Sequence, residues 1–267
     1  MDFQEWLELR QKERDFAFAN GLNNGDPETN GEHRCTDYFL RQGIDTFCDI
    51  GANKGTFTRR VLDRYPNVAV HAFEPNPLHS GEFNSIGSHN KKFCFHPIAL
   101  SDSSGVLEFH RHPKHHEASS LSKRTLMTAQ FQAQMESISV NVARLDDLDI
   151  EGKNLFLKID TEGHEFPAIR GAENILSRTG MAAILFEYSF GWKEAGEDIE
   201  SCFQFFNAIG YSFYRLLPSG LEEIRFLTSD MKDIQYCNYV ATKNVDYAND
   251  SYVNVPSPFG TNRMIMF

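Results

Sequence analysis

Positive charge is scarce in this 267-residue sequence: 26 lysines and arginines face 37 aspartates and glutamates, giving a formal net charge of -11. The pI is near 5.4. Nucleic-acid binding rests on a basic footprint, so composition argues against a nucleic-acid partner. Cysteine is sparse and odd in number, with Cys35, Cys48, Cys94, Cys202 and Cys237 forming no Cys-x-x-Cys pair. That excludes a disulfide framework or zinc ribbon and fits a reducing, cytoplasmic setting. No apolar run approaches the ~20 residues needed to span a bilayer, so no membrane partner is expected. The opening Met1-Asp2-Phe3-Gln4-Glu5-Trp6 lacks the basic head and apolar core of a secretory signal. Composition does not set the oligomeric state.

What is present is a regular alternation of strand and helix signals from Ile44 onward. Ile44 to Ile50 reads as a buried strand running into the glycine turn Gly51-Ala52-Asn53-Lys54-Gly55 and then a helix, Thr58 to Tyr65. Val70 to Glu74 is the next strand, Leu78 to Ile86 a weaker helix, and Phe93 to Leu100 a third strand. Val106 to Phe109 and Ile138 to Ala143 read as an inserted strand pair around the polar region His110 to Glu136. Leu155 to Asp160 and Ala182 to Tyr188 are the fourth and fifth strands, with Gly171 to Ser177 on the helix between. Ile199 to Ile209 is a Phe-rich helix, and Tyr211 to Leu217 and Tyr236 to Thr242 close the pattern as an antiparallel pair. Such alternation predicts an α/β, Rossmann-like, mostly parallel sheet with helices on both faces and ligands at the carboxyl ends of its strands. The expected organisation is a helical extension over 1–43, carrying an amphipathic helix with Phe3, Trp6 and Leu7, a catalytic domain over 44–243, and a tail over 244–267.

Two acids sharpen the turn. Asp49 stands two residues before Gly51, where a carboxylate would repel a dinucleotide pyrophosphate and attract a cofactor carrying an ammonium and a sulfonium. S-adenosyl-L-methionine is that cofactor. Glu74 ends the second strand about twenty residues on, the spacing at which an acid meets the ribose hydroxyls of an adenosine. The fourth strand ends in Lys158-Ile159-Asp160-Thr161-Glu162-Gly163-His164-Glu165, a dense set of charges where a reactive end belongs. Lys158 and Asp160 share one strand face by period two.

Five segments taken together resemble the FkbM-type methyltransferases: Asp49 to Gly55, Phe73-Glu74-Pro75-Asn76-Pro77, Ala99 to Asp102, Arg144-Leu145-Asp146-Asp147-Leu148, and Leu157 to Glu165. Ala118-Ser119-Ser120-Leu121 adds a loop expected near the cofactor mouth, and Thr161 departs from the usual Val. The resemblance covers Ile44 to Leu217. It implies a class I methyltransferase fold, a seven-stranded sheet with an antiparallel last strand, and methyl transfer to oxygen. Carried over, Asp49, Gly51, Asn53 and Gly55 form the cofactor turn, and Glu74 holds the ribose. Ala99, Leu100 and Ser101 border the adenine, Asp102 reaches its amino group, and Asp160 lies near the sulfonium.

The expected acceptor is a hydroxyl of a sugar, glycan or other small molecule. A base that removes its proton contributes roughly a hundredfold or more. His164 ranks first for its intrinsic pKa, then Asp160, Glu162 and Glu165, with Lys158 able to lower the hydroxyl's pKa instead. The acidic set Asp160, Glu162, Glu165 and Glu187 suits a hard cation such as magnesium. The run His110-Arg111-His112-Pro113-Lys114-His115-His116-Glu117 reads as a polar lid or, alternatively, a zinc or nickel site. Tyr188, Phe190 and Trp192 offer rings to stack on a sugar. Alternatives left open are a nicotinamide-dependent oxidoreductase, a methyltransferase acting on protein, and a binder without turnover. The oxidoreductase lacks support from a third glycine, since Thr58 and Arg59 occupy its place.

Overall fold

The structure is a computed structural model, and it describes residues 24–87, 90–123, 125, 127–225, 227, 236–247, 252–257 and 260–267. The expected helix at Phe3, Trp6 and Leu7 lies outside the described residues. The first described helix, α1 (Glu32–Arg41), leads into β1 (Thr46–Ile50), α2 (Thr56–Arg64) and β2 (Ala69–Phe73). Next come α3 (Ser80–Gly87), β3 (Phe93–His96), β4 (Ala99–Leu100), β5 (Gly105–Arg111), α4 (Ala129–Gln132) and β6 (Glu136–Ala143). They are followed by β7 (Asn154–Ile159), α5 (Glu165–Arg170), α6 (Glu173–Arg178), β8 (Met181–Ser189), α7 (Phe190–Ala195) and α8 (Ile199–Ala208). The chain closes with β9 (Ser212–Leu217), β10 (Gly220–Glu223), β11 (Tyr236–Lys243), β12 (Tyr252–Ser257) and β13 (Gly260–Met266).

Seven strands run in the order β3-β2-β1-β7-β8-β11-β9, with the first five parallel and β11 antiparallel to both its neighbours. That is the class I methyltransferase layout implied by the sequence, with one correction. Among the described residues the sheet has ten strands, because β10, β13 and β12 continue it antiparallel beyond β9. The third expected strand also divides. Pro97 supplies no backbone N–H for a ladder, so β3 stops at His96. Ala99 and Leu100 join β6 and β5 in a separate three-stranded sheet.

Strand period two sends alternate residues to opposite faces. On one face Phe47 and Phe156 pack with Cys35 and Phe39 of α1 and Phe57 and Val61 of α2. On the other Cys48, Ile50, Leu157 and Ile159 pack with α5 to α8 through Phe166, Ile175, Trp192 and Phe206. Both faces are therefore covered, as a parallel sheet requires. This alternation decides where the charges go. Asp49 follows Phe47 and Lys158 follows Phe156, so both point to the α1–α2 face, and β1–β7 pairing sets them side by side. Beyond them the same face continues as Glu187 of β8 beside Asn238 of β11.

Candidate active site

The strand order reverses between the parallel neighbours β1 and β7, which opens a crevice at the carboxyl ends of the strands, the place where such sheets bind ligands. Gly51 sits there with φ at 80°. A Cβ at Gly51 would overlap the Asp160 carbonyl, so the turn and the end of β7 meet only because glycine is present. Two cavities border this point. The first is lined by Gly51, Asn53, Phe73, Glu74, Pro75, Leu100 and others. The second lies toward α1 and is lined by Glu32, Asp49, Lys158, Glu187, Phe190 and Tyr236 among others. Gly51, Asn53, Glu117, Asp160 and Glu162 line both.

Glu74 is held ready in the first cavity. Its carboxylate accepts the backbone N–H of Asn53 at 2.8 Å and that of Asn76 at 2.7 Å, one on each oxygen. Burial nevertheless pushes this carboxyl up to about 7. Ala99 and Leu100 line the same cavity, as do His79 and Pro75. Ser101 and Asp102 do not. Ser101 turns its hydroxyl to His164 Nε2 at 3.0 Å, and Asp102 is bound by Arg170 at 3.0 Å. Asp102, expected at the adenine amino group, thus lies outside the lining of the first cavity and in an ion pair with Arg170.

Asp49 and Lys158 form the floor of the second cavity. Asp49 is buried, with Oδ2 accepting from Thr58 Oγ1 at 2.6 Å and Oδ1 unmatched. Burial pushes its carboxyl up, with Lys158 and Thr58 pulling back. Lys158 Nζ lies 3.0 Å from Asp160 Oδ2 and over the Phe57 ring. Burial works against its charge, but Asp160, Asp49 and Glu32 outweigh burial and hold it above the ordinary lysine value. Glu187 is pushed well up by burial and by the negative charge of Asp160, Glu162, Glu165 and Glu32. Carboxylate oxygens of Asp160, Glu162 and Glu187 lie within 4.8 Å of one another. Several carboxyls thus crowd one lysine. Buried charge of this kind is costly until a cation or hydrogen-bond donor arrives.

Other expected candidates take different places. His164 lines the first cavity and not the second, and burial pulls it down to about 4. It therefore stands on the Glu74 side, away from Lys158. Glu165 accepts from the Thr161 and Gly163 amides and the Thr161 hydroxyl, which commits it to holding the loop after β7. Gly55 starts α2 with φ at 71° and packs against Phe83. Tyr188 and Trp192 are core residues, Trp192 donating its indole N–H to the Glu187 carbonyl, so only Phe190 of the three aromatics reaches a cavity. In the histidine run, His112 is buried and accepts the Lys114 and His115 amides on Nδ1. His116 and Glu117 line the first cavity. That run forms none of the possible metal-ligand groups among the described residues. Ser120 and Ser122 fasten the following loop by donating to the carbonyls of Thr161 and Gly163.

Sequence reasoning missed Glu32, His33 and Tyr236, which complete the wall of the second cavity. Glu32 accepts from Asn30 at 2.6 Å and Asn238 at 3.1 Å. An acid in the first turn of a helix reads as an ordinary dipole partner, so its sequence carries no warning of this role.

Residues 49–213 match the sequence profile described as Methyltransferase FkbM domain. The chain belongs to the FkbM methyltransferase family. The nicotinamide-dependent oxidoreductase alternative falls with that match. Among curated relatives, the 2-O-methyltransferase NoeI of Sinorhizobium fredii (strain NBRC 101917 / NGR234) is 27% identical over 205 residues, 68% of this chain and 78% of that protein. The 31-O-demethyl-FK506 methyltransferase FkbM of Streptomyces tacrolimicus is 29% identical over 167 residues. That alignment spans 51% of this chain and 64% of the relative, just under two thirds. A solved FkbM methyltransferase from Methylobacillus flagellatus KT has a TM-score of 0.47 at 14% identity, over 75% of this chain and 44% of that one. No helix among the described residues of this FkbM-family chain is long and apolar enough to cross a membrane.

Proposed function

We propose that this chain is an S-adenosyl-L-methionine-dependent O-methyltransferase acting on a hydroxyl of a sugar, glycan or other small molecule. The observation that carries the reading is Asp160, which faces both cavities and is paired with the buried Lys158. Fit to the donor rests on the lining. Asp49 Oδ1 and Asn53 Oδ1 are buried acceptors without donors, a match for an ammonium group and a mismatch for a pyrophosphate. Gly55 adds no side-chain cap at the start of α2, where Asp49 accepts from the Thr58 hydroxyl and amide. The names of NoeI and FkbM both specify oxygen as the methylated atom.

The donor supplies a methyl on a sulfonium whose leaving group is already good. Glu74 would hold the ribose, and Ala99, Leu100 and Pro75 would line the adenine's place. Gly51 would let the reacting end approach the backbone where the cavities meet. Asp160 accepts the proton of the acceptor hydroxyl, and Lys158, 3.0 Å away, orients that carboxylate. Phe190 offers its ring to the acceptor. The protein's main contribution is alignment across the junction, supplemented by the base.

Label transfer from methyl-tritiated S-adenosyl-L-methionine to a panel of hydroxyl acceptors tests this. Asp160→Asn should retain binding of S-adenosylhomocysteine while turnover falls by about 100-fold or more. Wild-type turnover in that variant, or label found on nitrogen, contradicts the proposal.

A further inference from the structure

A second chemical cluster lies at the far edge of the sheet, away from Lys158. β3 is the edge strand, and its Cys94 and His96 share a face by period two. Parallel pairing sets His71 of β2 directly beside Cys94. His71 Nδ1 and His96 Nε2 face each other at 3.1 Å, with the rings stacked at 18°. Ligand atoms of all three residues lie within 4.8 Å of one another. Nothing in methyl transfer uses them.

We propose that His71, Cys94 and His96 bind one zinc ion. Tetrahedral zinc with bonds of about 2.0–2.1 Å to nitrogen holds two such atoms about 3.3 Å apart, close to the spacing already present. Two imidazoles and a thiolate suit a borderline-soft metal and not magnesium. Cys94 is exposed, unlike the other four cysteines, so the fourth position opens to water. Binding replaces the hydrogen bond between the rings: His71 must carry its proton on Nε2, freeing Nδ1, His96 must carry its proton on Nδ1, freeing Nε2, and Cys94 must release one proton to solvent. The bound ion would join the edge strand to β2 just behind the first cavity. His96 stacks on Phe73 at 4.4 Å, Phe73 lines that cavity, and the Glu74 amide donates to the His96 carbonyl at 3.2 Å.

Cobalt(II) titration of the reduced full chain provides the test, since thiolate ligation gives a near-ultraviolet charge-transfer band. One equivalent should produce the band, and zinc should abolish it while protecting Cys94 from alkylation. Cys94→Ser should lose the band, and both Cys94→Ser and His71→Asn should bind zinc at least about 100-fold more weakly. Zinc should raise the melting temperature of the wild type and much less that of either variant. The absence of a band in the wild type refutes the site without reliance on any variant. Zinc affinity unchanged by Cys94→Ser also refutes it, and points to the carboxylates Asp160, Glu162 and Glu187 instead.

Discussion

Replacing Glu74 with Gln tests the cofactor cavity in two ways. Each carboxylate oxygen accepts one backbone N–H, from Asn53 and from Asn76. An amide can accept only one of these, so its NH2 group meets the other N–H donor to donor. The variant also presents one acceptor fewer to a ribose diol. A hydrogen bond to a charged group is worth about 1.5–3 kcal/mol, so S-adenosylhomocysteine should bind about 10- to 100-fold more weakly. The second readout is pH. Burial raises the folded-state carboxyl from its ordinary 4.5 to about 7. Its contribution to apo-protein stability is therefore fully present below about 4.5 and is lost as pH rises through about 7, by about 3 kcal/mol in all. Gln has no such dependence. Denaturant melts from pH 4.5 to 8 should show the wild type losing ground relative to Glu74→Gln as pH rises, with calorimetry reporting the weaker binding. A difference in stability that is constant across pH, together with unchanged affinity, refutes the placement of Glu74.

Gly51→Ala forces a Cβ onto the Asp160 carbonyl at a positive φ and should cost at least about 1–2 kcal/mol in a thermal melt while abolishing S-adenosylhomocysteine binding by calorimetry. His164→Ala loses one hydrogen bond to Ser101, about 1 kcal/mol of stability, and should leave kcat near that of the wild type. A fall in kcat of about 100-fold, the scale of a lost general base, would instead restore His164 as the base. Phe190→Ala should raise the acceptor's KM with little change in cofactor affinity, measured by steady-state kinetics on the best hydroxyl acceptor.

The alternation of strand and helix, the glycine turn and the acid ending β2 were legible because each follows from local sequence. Asp49, Gly51 and Glu74 owe their places to strand period and turn geometry, and the cavities form around them. Roles set by distant partners were not legible. Asp102 is held by Arg170, 68 residues later in the chain, and Ser101 by His164. Glu165 looks like a catalytic acid in sequence, yet two backbone amides of its own loop occupy it. Glu32 meets Asn238 across 206 residues, a contact made only when α1 folds over β11. The three added strands carry no motif: β10 pairs with β9 and β12 with β13 across short turns, and only the β10–β13 pairing, across more than forty residues, joins them into the sheet.

A crystal structure of the chain with S-adenosylhomocysteine tests the central claim most directly. The account predicts ribose hydroxyls on the Glu74 carboxylate, adenine between Pro75 and Leu100, and sulfur beside Gly51 facing Asp160. A ligand lodged against Glu32 and Tyr236, with Glu74 untouched, would contradict it.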